Sequence, residues 1–246
     1  QSPIRKLTPL ANAAKERGIK VYHLNIGQPD LPSPSKGLEV LKHVDRSVLE
    51  YSPSQGFKTY REKLVNYYAK YDIEVTADDI IITSGGSEAV LFAFLSCLNP
   101  GDEIIVPEPA YANYMAFAVA AGAVIRTIAT TIEEGFSLPK VEKFEELIND
   151  RTRAILICNP NNPTGVVYSE KTIKELAKVL EDKQKEYGTA IYLIADEPYR
   201  ELAYDGVEVP YLTKYYDNAI VGYSYSKSLS LPGERIGYLV IPDEVV

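Results

Sequence analysis

A three-layer α/β fold is what this sequence predicts, with a seven-stranded, mostly parallel sheet between two layers of helix, and three observations predict it. Seven short apolar runs, most of them rich in β-branched residues, recur along the chain, with amphipathic stretches between most of them. That is the rhythm of repeated strand–helix–strand units. The longest amphipathic stretch carries residues that start and stop helices, Ser169 and Gly188. At 246 residues, 46% of them hydrophobic, the chain is also large enough to bury a sheet on both faces.

Taken in order, residues 8–17 read as a short helix closed by Gly18. The segment Asn25-Ile-Gly-Gln-Pro-Asp-Leu-Pro-Ser-Pro-Ser35 reads as a turn-rich linker, because its prolines and turn formers break any regular pattern. Residues 58–71 form a charged amphipathic helix. Strands are expected at 80–83, 103–106, 124–128, 154–157, 191–194, 219–222 and 236–241, and helices at 88–98, 111–121, 140–149 and 169–187. In the last of these helices Ile173, Leu176, Ala177 and Leu180 fall on one face. No helical pattern separates the last two strands, so an antiparallel edge strand is expected there. The domain division read from this pattern is an N-terminal arm over 1–28 and a large domain over 29–246.

Composition removes several classes of function. Twenty-six basic against 34 acidic residues give a net charge of −8 with no basic tract, which argues against nucleic acid and anionic membranes as partners. No apolar run reaches membrane-spanning length, and Gln1-Ser-Pro-Ile-Arg-Lys lacks a signal-peptide core. Cys97 and Cys158 sit in apolar contexts and read as reduced core thiols of a cytoplasmic protein. Two histidines and no Cys-x-x-Cys pair leave no metal cluster to expect.

Ligands of doubly wound sheets bind where strands end and helices begin. Four such ends carry chemistry here. Thr83-Ser-Gly-Gly-Ser-Glu-Ala89 leaves a strand through two glycines into a helix, so the amides of Gly86, Ser87 and Glu88 are placed to meet a phosphate. Read alone, it is equally a tight strand-to-helix turn. Cys158-Asn-Pro-Asn-Asn-Pro-Thr-Gly165 is a stiff polar loop in which the Asn162 amide can donate to a ring oxygen, or simply shape a turn. Asp196, in Ile194-Ala-Asp-Glu-Pro-Tyr199, ends an apolar strand, where an unpaired carboxylate is costly unless a cation meets it. A protonated ring nitrogen is one such cation; local amides are another answer. Tyr199 is near enough to bond a phenolic oxygen beside it.

The fourth end is Ser224-Tyr-Ser-Lys-Ser-Leu-Ser-Leu-Pro-Gly-Glu-Arg235. Lys227 follows a strand, stands among hydroxyls and precedes Arg235, a residue suited to gripping phosphate in bidentate fashion. Ser224 and Ser226 add hydroxyl donors. With an ordinary pKa near 10.4, a lysine is neutral only about once in 2,500 molecules at pH 7 unless burial or a covalent imine frees it. An ordinary solvated loop lysine is the plain alternative. Tyr111 is positioned to stack on a flat ring, although core packing explains a tyrosine equally well in a chain with 19 of them.

The order Tyr51-Ser-Pro-Ser-Gln-Gly, Gly-Gly-Ser-Glu-Ala, Pro-Gly-Asp-Glu, Pro-Ala-Tyr-Ala-Asn-Tyr, Asn-Pro-Asn-Asn-Pro-Thr-Gly, Asp-Glu-Pro-Tyr and Ser-Tyr-Ser-Lys…Arg-Ile-Gly resembles the fold-type I pyridoxal-phosphate aminotransferases of class I/II, from about Ile4 to the end of the chain. The resemblance implies pyridoxal 5'-phosphate as cofactor and an enzyme that moves an amino group between an L-amino acid and a 2-oxo acid. It implies that Lys227 forms the covalent imine with the cofactor and shuttles the substrate proton, that Asp196 pairs with the pyridinium nitrogen, and that Tyr199 and Asn162 bond the ring hydroxyl oxygen. Tyr111 would stack on the ring, and Gly86, Ser87, Glu88, Ser224, Ser226 and Arg235 would hold the phosphate. Gly27 would lie over the substrate beside Asn162. Tyr51 would reach the phosphate of a neighbouring subunit, which implies a homodimer with shared sites. Family members continue into a smaller C-terminal domain, and no segment matching it follows here. The same lysine and electron sink also serve β-eliminating lyases of this fold, and a chain that binds cofactor without completing catalysis is the other alternative.

Overall fold

The computed structural model describes residues 5–242 and Val245. Its centre is a seven-stranded sheet of β1 (Ile80–Thr83), β2 (Glu103–Glu108), β3 (Val124–Ala129), β4 (Thr152–Cys158), β5 (Tyr192–Asp196), β6 (Ala219–Ser224) and β7 (Gly237–Val240), ordered β1-β7-β6-β5-β4-β2-β3. The pairs β2·β3, β2·β4, β4·β5 and β5·β6 are parallel. β7 runs antiparallel to both of its neighbours, β1 and β6. The last strand is therefore antiparallel as expected but not at an edge: all four of its residues are buried between two strands. Its position could not be read from the chain around it, because β1 lies far upstream.

Alternation along the strands divides the interior in two. Ile155, Ile157, Leu193, Ala195, Val221 and Tyr238 point to one face, and Ala154, Leu156, Ile194, Ile220 and Leu239 to the other. The first face is covered by α3 (Lys58–Ala69), α6 (Val141–Leu147) and α7 (Glu170–Tyr187), the second by α4 (Gly86–Cys97) and α5 (Asn113–Ala120). α7 follows the sequence signals closely. The Ser169 side chain accepts from the Thr172 amide, Gly188 closes the helix at φ 65°, and Ile173, Leu176, Ala177 and Leu180 are buried.

Three helices lie outside these layers. α1 (Thr8–Glu16) and α2 (Ser35–Lys42) bury no residue, and α8 (Tyr225–Ser228) is a single turn. Neither α2 nor α8 is expected from the sequence, where the first hides behind a Ser-Pro-Ser turn and the second is too short to show a period. Both cysteines are free, Cys158 buried and Cys97 half-buried. Among the described residues no helix is long and apolar enough to cross a membrane.

Candidate active site

The sheet delivers its chemistry at one end. Thr83, Glu108, Cys158, Asp196 and Ser224 are the last residues of β1, β2, β4, β5 and β6, and the segments that follow them bound a cavity of about 660 Å³. Asn25 to Gln28 and Thr8 close it from the N-terminal side. Gly27, Gly86, Ser87, Tyr111, Asn162, Asp196, Tyr199, Ser224, Ser226, Lys227 and Arg235 all line this space. They come from five strand ends and from the loop at 25–28, so the grouping is made by topology and not by proximity in sequence.

At one corner the chain has been cleared of side chains. Gly85 has φ 84°, and a Cβ there would sit 2.5 Å from Arg235 Nη2; one on Gly86 would sit 3.1 Å from Ser224 Cβ. The Arg235 guanidinium donates to the carbonyls of Pro232 and Ser84 at 3.0 and 3.3 Å. Beside it Ser224 Oγ accepts from the Ser226 amide at 3.2 Å and lies 2.8 Å from Ser226 Oγ. Because α4 starts at Gly86, its first amides lack acceptors within the helix and face this corner. Glu88 departs from expectation. Its amide donates to the Gly85 carbonyl at 3.2 Å, its carboxylate accepts from the Ser84 amide at 2.5 Å, and it does not line the cavity.

Across the cavity Asp196 is buried, and burial is the main reason its carboxyl is pushed up from 3.8 to about 6. Tyr114 opposes that shift by donating its hydroxyl to Asp196 Oδ2 at 2.6 Å, while the neighbouring Glu197 charge adds to it. Asp196 takes part in no ion pair among the described residues. Burial depresses the Lys227 amine below the ordinary lysine value. Lys227 Nζ donates to the Gly27 carbonyl, which ties the loop at 25–28 to α8. Tyr199 is held protonated, chiefly by burial, with the Asn162 side chain beside it opposing that shift. Tyr111 OH accepts from Asn113 Nδ2 at 2.6 Å, and its ring meets that of Tyr114 edge-on at 5.4 Å.

Tyr51 does not line the cavity; it is fully exposed. Conversely, sequence reasoning missed Tyr114, the one side chain among the described residues that hydrogen-bonds Asp196. Its only signal is a place three residues after Tyr111 on a helix, which 19 tyrosines make unreadable.

Fold and cavity together define an α/β protein with a small-molecule site at the carboxyl ends of its parallel strands, basic at one corner and acidic opposite. Residues 19–246 match the family described as aminotransferase class I and II, and the chain belongs to that family. It is 36% identical over its whole length to an aspartate aminotransferase of Pyrococcus horikoshii, covering 61% of that protein. It is 34% identical to a probable N-acetyl-LL-diaminopimelate aminotransferase of Bacillus subtilis, with 99% of the chain and 60% of the relative covered. The fold superposes on an aminotransferase from Eubacterium rectale with a TM-score of 0.90 at 41% identity, covering all of this chain and 63% of that one. An alanine aminotransferase from Pyrococcus furiosus matches with a TM-score of 0.87 at 32% identity, covering 98% and 61%. The chain thus spans about three fifths of the length of these relatives.

Proposed function

We propose that this protein binds pyridoxal 5'-phosphate and uses it to move an amino group between an L-amino acid and a 2-oxo acid. The observation that carries this reading is the pairing within one cavity of a lysine amine depressed by burial and a buried carboxylate that meets no cation among the described residues. Such a carboxylate is unfavourable by itself and suits an occupant bearing a cationic ring nitrogen. The cleared corner at Gly85 and Gly86, with Arg235, Ser224 and Ser226 around it, suits that occupant's phosphate. When bound, the cofactor supplies an aldehyde for an amine to join and a ring that accepts an electron pair.

The chain's own residues then divide the work. Lys227 would hold the cofactor, and its amine would carry the proton to and from the substrate's α-carbon. Asp196 keeps a cationic nitrogen charged, and Tyr114 keeps Asp196 ionised and oriented by donating to it. Asn162 and Tyr199, which line the cavity together, present donors to a ring oxygen. Tyr111 covers a ring face. Gly27, whose carbonyl holds Lys227 Nζ, lies where a substrate would enter. The exposed Tyr51 is assigned to the site of a second copy, in a homodimer.

Adding pyridoxal phosphate to the protein should produce a near-visible absorption band. Borohydride reduction should then fix the label on Lys227, and candidate amino acids should bleach the band until a 2-oxo acid restores it. Amino transfer from aspartate, alanine and aromatic donors, set against pyruvate release from cysteine conjugates, separates transferase from lyase. A Lys227→Ala protein that kept the labelling and full amino transfer would refute the proposal.

A further inference from the structure

Lys227 stands on a helix of four residues, and a helix so short has no stability of its own, since its first turn fixes several residues for one hydrogen bond. Something else must hold it. At its start the Ser224 side chain caps the Ser226 amide. At its end the Ser228 hydroxyl is 2.7 Å from Tyr223 OH, and Tyr223 OH donates to Glu201 Oε2 at 2.6 Å. A phenol has one proton, and here it is committed to the carboxylate, so Ser228 donates to the Tyr223 oxygen. A second arm meets the same group: Tyr67 OH, from α3, donates to Glu201 Oε1 at 2.8 Å, and Tyr211 OH lies 3.3 Å behind it. Glu201 takes part in no ion pair among the described residues, in contrast to Glu197, which is paired with Arg200 at 2.6 Å. Its carboxylate instead collects two tyrosine hydroxyls from two parts of the fold. It does so on the 3₁₀ turn Arg200–Leu202, directly after the segment that carries Asp196 and Tyr199.

We infer that Glu201 is a positioning residue for Lys227: acting through Tyr223 and Ser228, it fixes α8 and its amine relative to the segment that carries Asp196 and Tyr199. The importance of that amine rests on the proposed function, whereas the bracing itself stands on the hydrogen bonds alone. Two variants isolate it. Glu201→Gln keeps the shape of the side chain, and Tyr223→Phe keeps the ring stacked on Tyr238 at 5.1 Å.

The full chain, free of cofactor, is treated with an amine-acylating reagent across a pH series, and Lys227 is quantified by peptide mapping with the exposed Lys171 as internal reference. Loosening α8 gives the amine back to water, so half-maximal labelling of Lys227 moves to higher pH in both variants. The double variant moves no further than either single one, and Lys171 is unaffected. In parallel, borohydride-trapped attachment of pyridoxal phosphate slows by roughly tenfold, the scale of one hydrogen bond to a charged group. An unchanged Lys227 profile, equal shifts at Lys171, or effects that add in the double variant would overturn the inference. Shifted labelling in a protein whose wild type takes up no pyridoxal phosphate would refute the proposed function and leave the positioning role standing.

Discussion

Asp196 allows a prediction to be worked through without any cofactor. Its carboxyl is pushed from 3.8 to about 6 in the folded chain, mainly by burial. Between those values the native protein binds a proton that the unfolded chain has released, so stability falls as pH rises through the window. Below about pH 4 both states are protonated and the penalty is absent; above about pH 6 it is complete. At about 1.4 kcal/mol per pH unit the full penalty is of the order of 3 kcal/mol. Asp196→Asn removes the titrating group while retaining a side chain that can accept from Tyr114. Urea unfolding of wild type and variant at pH 4 and pH 7 should therefore give curves that lie close at the lower pH and separate by about 3 kcal/mol at the higher, the variant being the more stable. Tyr114→Phe removes the donor that favours the charged form and should carry the decline to higher pH. Saturation with pyridoxal phosphate should cancel the decline, because a cation beside Asp196 favours the ionised carboxylate. Parallel pH slopes for wild type and Asp196→Asn would refute the account of a buried, unpaired carboxylate.

Three further outcomes are expected. Gly85→Ala forces a side chain to within 2.5 Å of Arg235 Nη2 at a φ of 84°, and equilibrium titration should show affinity for pyridoxal phosphate falling at least tenfold. Arg200→Ala leaves Glu197 buried without its bidentate partner and strips the guanidinium from above the Tyr211 ring; denaturant unfolding should record a loss of about 3–5 kcal/mol. Ser169→Ala deletes the cap of α7 and should cost about 1 kcal/mol by the same measurement, with cofactor binding unchanged.

What the sequence made legible was whatever has a local cause. Ser169 and Gly188 announce the ends of α7 because capping is settled within a few residues of the terminus. Asp196 and Lys227 stand out because a carboxylate at an apolar strand end and a lysine at a strand exit are chemically unusual where they stand. Features made by distant partners stayed hidden. β7 reads as an edge strand until β1 pairs with it, and α8 exists through bonds to Tyr223 and Ser224 that no helical propensity foretells. Tyr114 and Glu201 are unremarkable residue types whose importance lies entirely in what they touch. Glu88 shows the converse: a motif position offers an amide to a ligand, but the turn geometry spends it on Gly85.

The placement of β7 also bears on how the molecule is made. β1 has β7 as its single neighbour in the sheet, and roughly 150 residues separate the two along the chain. At about 5–20 residues per second, some 10–30 s of translation pass before Ile80–Thr83 can be zipped into place. During that interval the anion corner at Gly85 and Gly86 lacks the strand that backs it, since Gly237 packs directly on both glycines. A nascent chain would thus have its acidic wall, at the end of β5, emerge before β7 arrives to back the basic corner across from it.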